Sequence, residues 1–258
     1  MFGRKKQAAP VEDDLDEDSV DEDLTEDDDE DDDLDEEEAD ETEDGSIEDE
    51  EPKDEWEILD ASRDWREDGP FDITEVDLDA DDVQRLDFGS LIVTPFDGMK
   101  MQMQVNEATE QVQALLVVAE QSAIEVALFA APLRSSMLPE VRDEMRDATH
   151  AAGGTMTLVE GPLGTEVRRK LPAPESEGRK GFQPSRTWLV QGPRWLLRGV
   201  LMGQSALTDS VTKGEAQLLF EFFCNLVVRR GDTPRVPGEL IGLDIPAAVL
   251  ANVVEQDR

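Results

Sequence analysis

The chain has 258 residues and a net charge of −40, from 64 acidic and 24 basic side chains. Residues 1–60 hold 33 of the acids and four of the bases, whereas residues 83–258 are nearly balanced, with 22 acids and 18 bases. Direct binding of nucleic acid by the whole chain is therefore disfavoured, because phosphate contacts need positive charge.

The cysteine content and the hydropathy favour a cytoplasmic protein. Cys224 is the only cysteine, so no intramolecular disulfide can form and nothing indicates an oxidising compartment. The first ten residues include a basic tripeptide, but acidic residues follow it in place of the apolar stretch of a signal peptide. No apolar run approaches the ~18 residues of a membrane span, so no membrane insertion is expected.

Residues 1–52 are predicted to form a disordered acidic arm. Only six side chains between residues 12 and 51 are apolar, too few to offset roughly 1–2 kcal/mol of backbone entropy per residue. Repulsion between carboxylates also opposes collapse. Residues 40–51 match much of an EF-hand loop, but no amphipathic helix flanks them and Pro52 follows at once. No specific metal site is therefore predicted.

Residues 53–82 form a transitional segment that brings the first large apolar side chains and is expected to dock partly on the domain. The globular domain is predicted over residues 83–246, followed by a C-terminal tail, 247–258. Alternating and continuous apolar runs predict strands, and apolar residues three and four apart predict helices. The predicted strands are 90–94, 99–105, 112–119, 124–130, 155–160, 166–171, 187–191 and 195–202. A helix beginning near Pro139 ends before Gly153-Gly154, and a second helix covers 215–229.

The order of these elements predicts an α+β fold. Strands dominate, their connections are short apart from a polar loop over 172–185, and helices end each run of strands. This order favours antiparallel sheet covered by two main helices. Four strands then a helix occur twice, which indicates a duplicated ββββα unit.

Five motifs occur in order along the chain: Gly69-Pro-Phe-Asp72, Arg85-Leu-Asp-Phe-Gly-Ser-Leu91, Leu128-Phe-Ala-Ala-Pro132, Gly192-Pro-Arg-Trp195 with Leu197-Arg-Gly199, and Leu226-Val-Val-Arg-Arg-Gly231. As a set they resemble an uncharacterised actinobacterial family, domain of unknown function 3710, over roughly residues 65–246. The resemblance implies a bacterial cytosol. It supplies no catalytic residue and no cofactor, because the family has no established activity.

The residue types of common catalytic sites are scarce. His150, the only histidine, lies at the predicted C-terminal end of the first helix, where the helix dipole favours its charged form. Cys224 lies among phenylalanines, where a thiol is inert. A Ser-His-Asp triad, a Cys-His pair and an ordinary zinc site are therefore unsupported. No phosphate-binding glycine motif occurs either. No catalytic residue, metal or cofactor is predicted.

Basic residues cluster around the loop over 172–185. The cluster consists of Arg168, Arg169, Lys170, Arg179, Lys180 and Arg186. One interpretation is an ordinary solvated loop. The other is a patch that binds anions, including the chain's own acidic arm, whose forty or so residues span roughly 35 Å as a coil. The arm would then cover this patch as a competitor.

Three further arginines are candidates for a ligand pocket. Arg194 and Arg198 flank the start of the last strand, and Arg134 precedes the first helix. The turn at Gly192-Pro193-Arg194 has a simple structural interpretation, with Trp195 anchoring the strand. The alternative is an arginine pair that binds a carboxylate or phosphate.

Two functions follow from these features. The first is a non-enzymatic protein-interaction module, in which the acidic arm tunes binding to a partner protein or covers the basic patch. The second is a small-ligand binder or an enzyme that uses a pocket of arginines and carboxylates.

Overall fold

The computed structural model describes residues 54–106, 108–109, 111–173 and 181–246, all of which belong to one compact unit. The predicted arm and C-terminal tail lie outside these residues. In chain order the elements are α1 (Glu55–Ala61), β1 (Phe71–Asp72), β2 (Leu86–Asp87), β3 (Leu91–Val93), β4 (Lys100–Asn106), β5 (Gln111–Ala119), β6 (Ser122–Ala130), α2 (Leu138–Ala151), β7 (Thr155–Gly161), β8 (Gly164–Pro172), β9 (Phe182–Gly192), β10 (Trp195–Gly203), a 3₁₀ helix (Gln204–Leu207), α3 (Gly214–Cys224) and β11 (Val227–Val228).

Seven strands form the main sheet, in the order β4-β5-β6-β10-β9-β8-β7. Every neighbouring pair is antiparallel. Strands of each half follow one another through short turns, and β6 pairs with β10 where the halves meet. The predicted α+β fold with antiparallel sheet is confirmed.

A second, smaller sheet has the order β1-β11-β3-β2, in which only β1 and β11 are parallel. It is joined to the main sheet by a buried hydrogen bond, in which the indole Nε1 of Trp195 donates to Oδ2 of Asp72 at 2.8 Å. The first predicted strand of each half therefore belongs to a different sheet, β3 to the small sheet and β7 to the main sheet. As a result, the first half gives three strands to the main sheet and the second half gives four.

Helices cover the main sheet on both sides. One face, called here the core face, packs against α3 and the small sheet, and Trp188 and Leu197 of the sheet and Phe223 of α3 are fully buried between them. On the opposite face α2 packs over Val167, Leu189 and other apolar side chains of β7 to β10. Apolar residues alternate between the two faces because successive side chains of a strand point to opposite sides.

The second main helix is shorter than predicted. The prediction of a helix through residue 229 is wrong in its last part, because α3 ends at Cys224 and Val227–Val228 is a strand. These two valines are fully buried and pair with both β3 and β1. Periodicity does not separate a short buried strand from one more helical turn, and β-branched residues favour the strand.

The loop predicted over 172–185 is also shorter. Pro172 pairs with Phe182, so β8 and β9 continue the ladder closer to the loop than the sequence indicated. Residues 174–180 lie outside the described residues.

Residues 54–82 contact the rest of the unit through a well-capped helix. The side chain of Asp54 accepts hydrogen bonds from the backbone N–H groups of Trp56 and Glu57, a capping box that begins α1. Asp60 in α1 then accepts the N–H of Thr165 at 2.8 Å and pairs with the buried Arg142 of α2. No helix within the described ranges is long and apolar enough to cross a bilayer.

Candidate functional site: an arginine-bearing sheet face

Part of the sheet face opposite the core face is not covered by α2. We call this part the arginine face. Its side chains are half-buried or exposed around a few buried ones, and they alternate along each strand with those of the core face. They are Lys100, Gln102, Gln104, Leu116, Val118, Glu125, Arg169, Thr187, Arg198, Val200 and Met202.

Strand register places two arginines on either side of one buried threonine. Thr187 of β9 pairs with Val167 of β8 and Val200 of β10. Val167, Thr187 and Val200 thus form a row across the three strands. Arg169 lies two residues after Val167 and Arg198 two residues before Val200, and because β8 and β10 run in the same direction, the two arginines lie on opposite sides of the row. The two guanidinium groups therefore flank Thr187 on the same face of the sheet.

Arg198 has a carboxylate partner. Its Nη2 lies 3.3 Å from Oε1 of Glu125 on the neighbouring strand, and its guanidinium lies over the ring of Phe129, 5.1 Å from the centroid. The amide of Gln104 donates to the other oxygen of Glu125 at 3.0 Å. Of the Arg198 nitrogens, Nε is buried and has no hydrogen-bond partner among the described residues.

Arg169 has no such partner. No hydrogen bond or ion pair joins its guanidinium to any described residue, and its Nε is buried. Burial, followed by repulsion from Arg198, lowers the pKa of Arg169 below its ordinary value. The attraction of Glu125 acts in the opposite direction but is weaker than the repulsion from Arg198. A half-buried cation that faces a second cation without a close ion pair is energetically unfavourable, and a ligand that supplies negative charge would stabilise it.

Thr187 adds a third unused polar group. Its side chain is fully buried, and its Oγ1 has no hydrogen-bond partner in the described part of the chain. Buried hydroxyl groups are nearly always hydrogen-bonded, so an unpaired one between two arginines needs an explanation. The face can therefore offer an anion two guanidinium groups, whereas the Thr187 hydroxyl beneath them is not exposed to a ligand.

Two arginines of the predicted basic patch lie on the core face instead. The buried carboxylate of Glu166 accepts hydrogen bonds from Nε and Nη2 of Arg186 at 2.8 and 2.7 Å, and from Nε of Arg168 at 2.8 Å. It also accepts the indole N–H of Trp188 at 2.9 Å. Arg186 is only 1% exposed, so it stabilises the fold and presents no charge to a partner at the surface.

The same network fixes the charge of Glu166. Burial alone would raise the pKa of the Glu166 carboxyl. Hydrogen bonds and attraction from Arg186, with further hydrogen bonds from Trp188 and Arg168, instead bring this pKa below its ordinary value. Nη1 of Arg186 also donates to the carbonyl of Thr208, and Nη1 of Arg168 donates to the carboxylate of Asp209.

The other patch residues are separated from this network. Lys170 is exposed on β8. Arg179 and Lys180 lie outside the described residues, as does the EF-hand-like segment. The described residues contain no group of three or more His, Cys, Asp or Glu side chains that could hold a metal ion.

The three predicted pocket arginines are not brought together. Arg134 lines a pocket of about 390 Å³ beside Glu57, Asp60 and Gln191. Arg194 occupies the β9–β10 turn with a positive φ of 63° and lies 3.7 Å from Asp232. Arg198 lies on the arginine face. The structure instead combines Arg198 from this set with Arg169 from the patch.

His150 and Cys224 differ in their surroundings. His150 is exposed in the last turn of α2. Cys224 lines a cavity of about 700 Å³ at the end of α3. Burial, with the negative charges of Asp68 and Glu221, raises the pKa of its thiol to about 12. The thiol is therefore protonated, and unreactive as a nucleophile, at neutral pH.

Sequence reasoning missed the partners of the arginines. Alternation along β8 could have separated Arg168 from Arg169, because adjacent residues of a strand face opposite ways. Glu125 and Thr187 carry no local signal, since each belongs to an apolar strand and meets an arginine only through the register of neighbouring strands.

The fold and the arginine face together define an α+β domain with a surface suited to binding anions. The chain belongs to the family described as Protein of unknown function (DUF3710), whose model matches residues 69–252. This assignment confirms the family resemblance of the motifs.

Other comparisons add little. No curated protein matches the chain. One similar solved structure is the solution structure of cyanobacterial PsbP (CyanoP) from Synechocystis sp. PCC 6803, which shares 8% identity with a TM-score of 0.36. The match covers 57% of this chain and 92% of that protein.

Proposed function

We propose that the chain is a non-enzymatic protein-interaction module whose arginine face binds a carboxylate-rich segment of a partner protein in the cytoplasm. The proposal rests on one observation, the guanidinium of Arg169, which has no hydrogen bond or ion pair with a described residue and is repelled by Arg198 more strongly than Glu125 attracts it. Carboxylates accept two parallel hydrogen bonds from a guanidinium, so an acidic polypeptide satisfies both the charge and the donors.

Charge complementarity selects this kind of occupant. Lys100, Arg169 and Arg198 give the arginine face three positive charges, and Glu125 gives it one negative charge. Half-buried Leu116, Val118 and Met202 surround these groups and can contact apolar side chains of the same segment. Polar anchors within an apolar surround are typical of protein interfaces.

We further propose that the acidic arm tunes this contact. Residues 12–51 contain 29 acidic residues and no basic residue. Such a segment competes with an acidic partner for the arginine face, and the competition weakens as salt screens charges beyond about 8–10 Å.

A binding titration tests the proposal. The probe is a fluorescent peptide with the sequence of residues 12–51, and its anisotropy is measured with full-length protein over a series of salt concentrations. Arg169→Gln and Arg198→Gln are each expected to weaken binding roughly tenfold, since a hydrogen bond to a charged group contributes about 1.5–3 kcal/mol.

Two controls accompany this titration. Arg146→Gln removes an exposed arginine of α2 that pairs with Asp143 and does not belong to the arginine face, and it should leave the affinity unchanged. A peptide with Asn and Gln in place of Asp and Glu should not bind. Equal affinities for wild type, R169Q and R198Q would contradict the proposal.

The role of the arm is tested separately. Deletion of residues 1–52 should raise the affinity for the peptide, and an unchanged affinity would show that the arm does not compete for the arginine face.

A further inference from the structure

A second arginine, remote in sequence from the arginine face, is buried and held in a fixed orientation. Arg230 follows β11 and is only 9% exposed. Its Nε donates to the carbonyl of Arg194 at 3.1 Å, and its Nη1 donates to the carbonyl of Thr233 at 2.9 Å and to that of Gly231 at 3.5 Å. Carbonyl oxygens orient this guanidinium but do not neutralise it.

The positive charge of Arg230 is not compensated by a close carboxylate. No carboxylate oxygen within the described ranges lies within 4.0 Å of it. Burial, with repulsion from Arg194 and Arg235, lowers its pKa, although Glu239 and Asp232 act in the opposite direction. Its Nη2 makes no hydrogen bond to any described residue and is not among the buried unpartnered atoms, so this nitrogen is accessible to a ligand.

Arg230 lines a polar pocket of about 460 Å³ between β5 and residues 230–245. Arg235, Thr233 and Gln111 also line it as potential donors, as does Ser90, whose hydroxyl already donates to the carbonyl of Gly242. The amide of Gln111 lies directly over Gly242, where an added Cβ would come within 1.8 Å of its Nε2. Glycine at position 242 therefore leaves the space that the Gln111 amide occupies.

We infer that Arg230, Arg235, Thr233 and Gln111 form a binding site for one small carboxylate anion. This site shares no residue with the arginine face, and the inference does not depend on the proposed function. Arg235 is already paired with Glu239 at 2.7 Å, which leaves Arg230 as the cation of the pocket that has no carboxylate of a described residue within 4.0 Å. Asp244 also lines the pocket and opposes a dianion such as phosphate more strongly than a monoanion.

An NMR titration of the full-length protein tests the site with acetate as the probe and acetamide as its uncharged isostere. Saturable shifts are expected for the side-chain amide of Gln111 and the backbone amide of Thr233. With four heavy atoms, acetate should bind with a dissociation constant on the order of 1–10 mM. Acetamide should cause no saturable shift, because it brings no charge to Arg230.

Variants separate the site from a general charge effect. Arg230→Lys should weaken acetate binding at least about tenfold, because lysine cannot reproduce the planar donor set. Gly242→Ala should weaken binding about 2- to 10-fold by displacing Gln111, and Thr233→Val should do so by removing a neutral donor. These two variants keep the test decisive if Arg230→Lys fails to fold. Arg146→Gln is the control and should leave the acetate-induced shifts of Gln111 and Thr233 as in the wild type.

Three results would overturn this inference. One is the absence of saturable shifts with acetate, and another is an equal response to acetamide. The third is an acetate affinity that neither Gly242→Ala nor Thr233→Val changes. Tighter binding of inorganic phosphate than of acetate would overturn the assignment to carboxylates. None of these results bears on the peptide titration of the arginine face, so the two proposals fail independently.

Discussion

The two faces of the main sheet use the same residue type in opposite ways. On the core face Arg186 is fully buried and every group around Glu166 is hydrogen-bonded. On the arginine face Arg169 is half-buried and forms no hydrogen bond or ion pair with a described residue. A buried ion pair with complete hydrogen bonding stabilises a fold, whereas an unpaired cation near a second cation is suited to bind something else.

The largest effect expected from this contrast is on stability, in the variant Glu166→Gln. Among the described residues, Glu166 supplies the only carboxylate that pairs with the buried Arg186, and the substitution removes it. Breaking a buried pair from one side typically costs about 3–5 kcal/mol, because the remaining charge is left uncompensated. Urea denaturation of wild type and variant measures the difference in the free energy of unfolding.

A double variant serves as its control. Glu166→Leu combined with Arg186→Met removes both charges and should be closer to the wild type than Glu166→Gln is. A loss below about 1 kcal/mol in Glu166→Gln would show that the network contributes little, and the contrast between the faces would fail.

A smaller effect is expected in the pH dependence of the stability difference between the wild type and Glu166→Gln. The pKa of Glu166 in the folded protein is below its ordinary value of 4.5. A carboxyl with a lowered folded pKa contributes stability above its unfolded pKa, and this contribution is lost as the pH falls through the folded pKa. The wild type should therefore lose its advantage over Glu166→Gln as the pH falls below 4.5.

The wild type and the variant share all other carboxyl groups, so the protonation of these groups cancels in the difference between the two stabilities. Urea denaturation of both proteins at a series of pH values from neutral to acid gives the two stability curves. Curves that remain parallel through the acid range would contradict the lowered pKa of Glu166.

The sequence predicted the strands better than it predicted what the strands bring together. Alternation of apolar residues in β4, and continuous apolar runs in β5 and β6, follow from side chains that face a core on one or both sides, so the α+β class could be inferred locally. The end of α3 could not be inferred from local sequence, because Val227 and Val228 become a strand only through pairing with β3 and β1. Tertiary contacts override a local preference in such places.

The candidate site was predictable only in part, for the same reason. Arg169 and Arg198 were both singled out by charge, but as members of different groups. Their association depends on the β8-β9-β10 register, and the carboxylate nearest Arg198 belongs to Glu125, 73 positions away in the chain. Arg186 has the same charge as Arg169 in the sequence, and only its burial against Glu166 assigns it to the fold.

The smallest effect is expected on stability in the variant Arg169→Gln, which provides the counterpart to Glu166→Gln. Removal of an unpaired guanidinium breaks no hydrogen bond to a described residue and relieves repulsion with Arg198. The free energy of unfolding should therefore change by no more than about 0.5 kcal/mol, as for ordinary surface substitutions. The change should be most favourable at low salt, where repulsion is screened least. Urea denaturation at two salt concentrations measures it, and a loss above about 1.5 kcal/mol would mean that Arg169 supports the fold as Arg186 does.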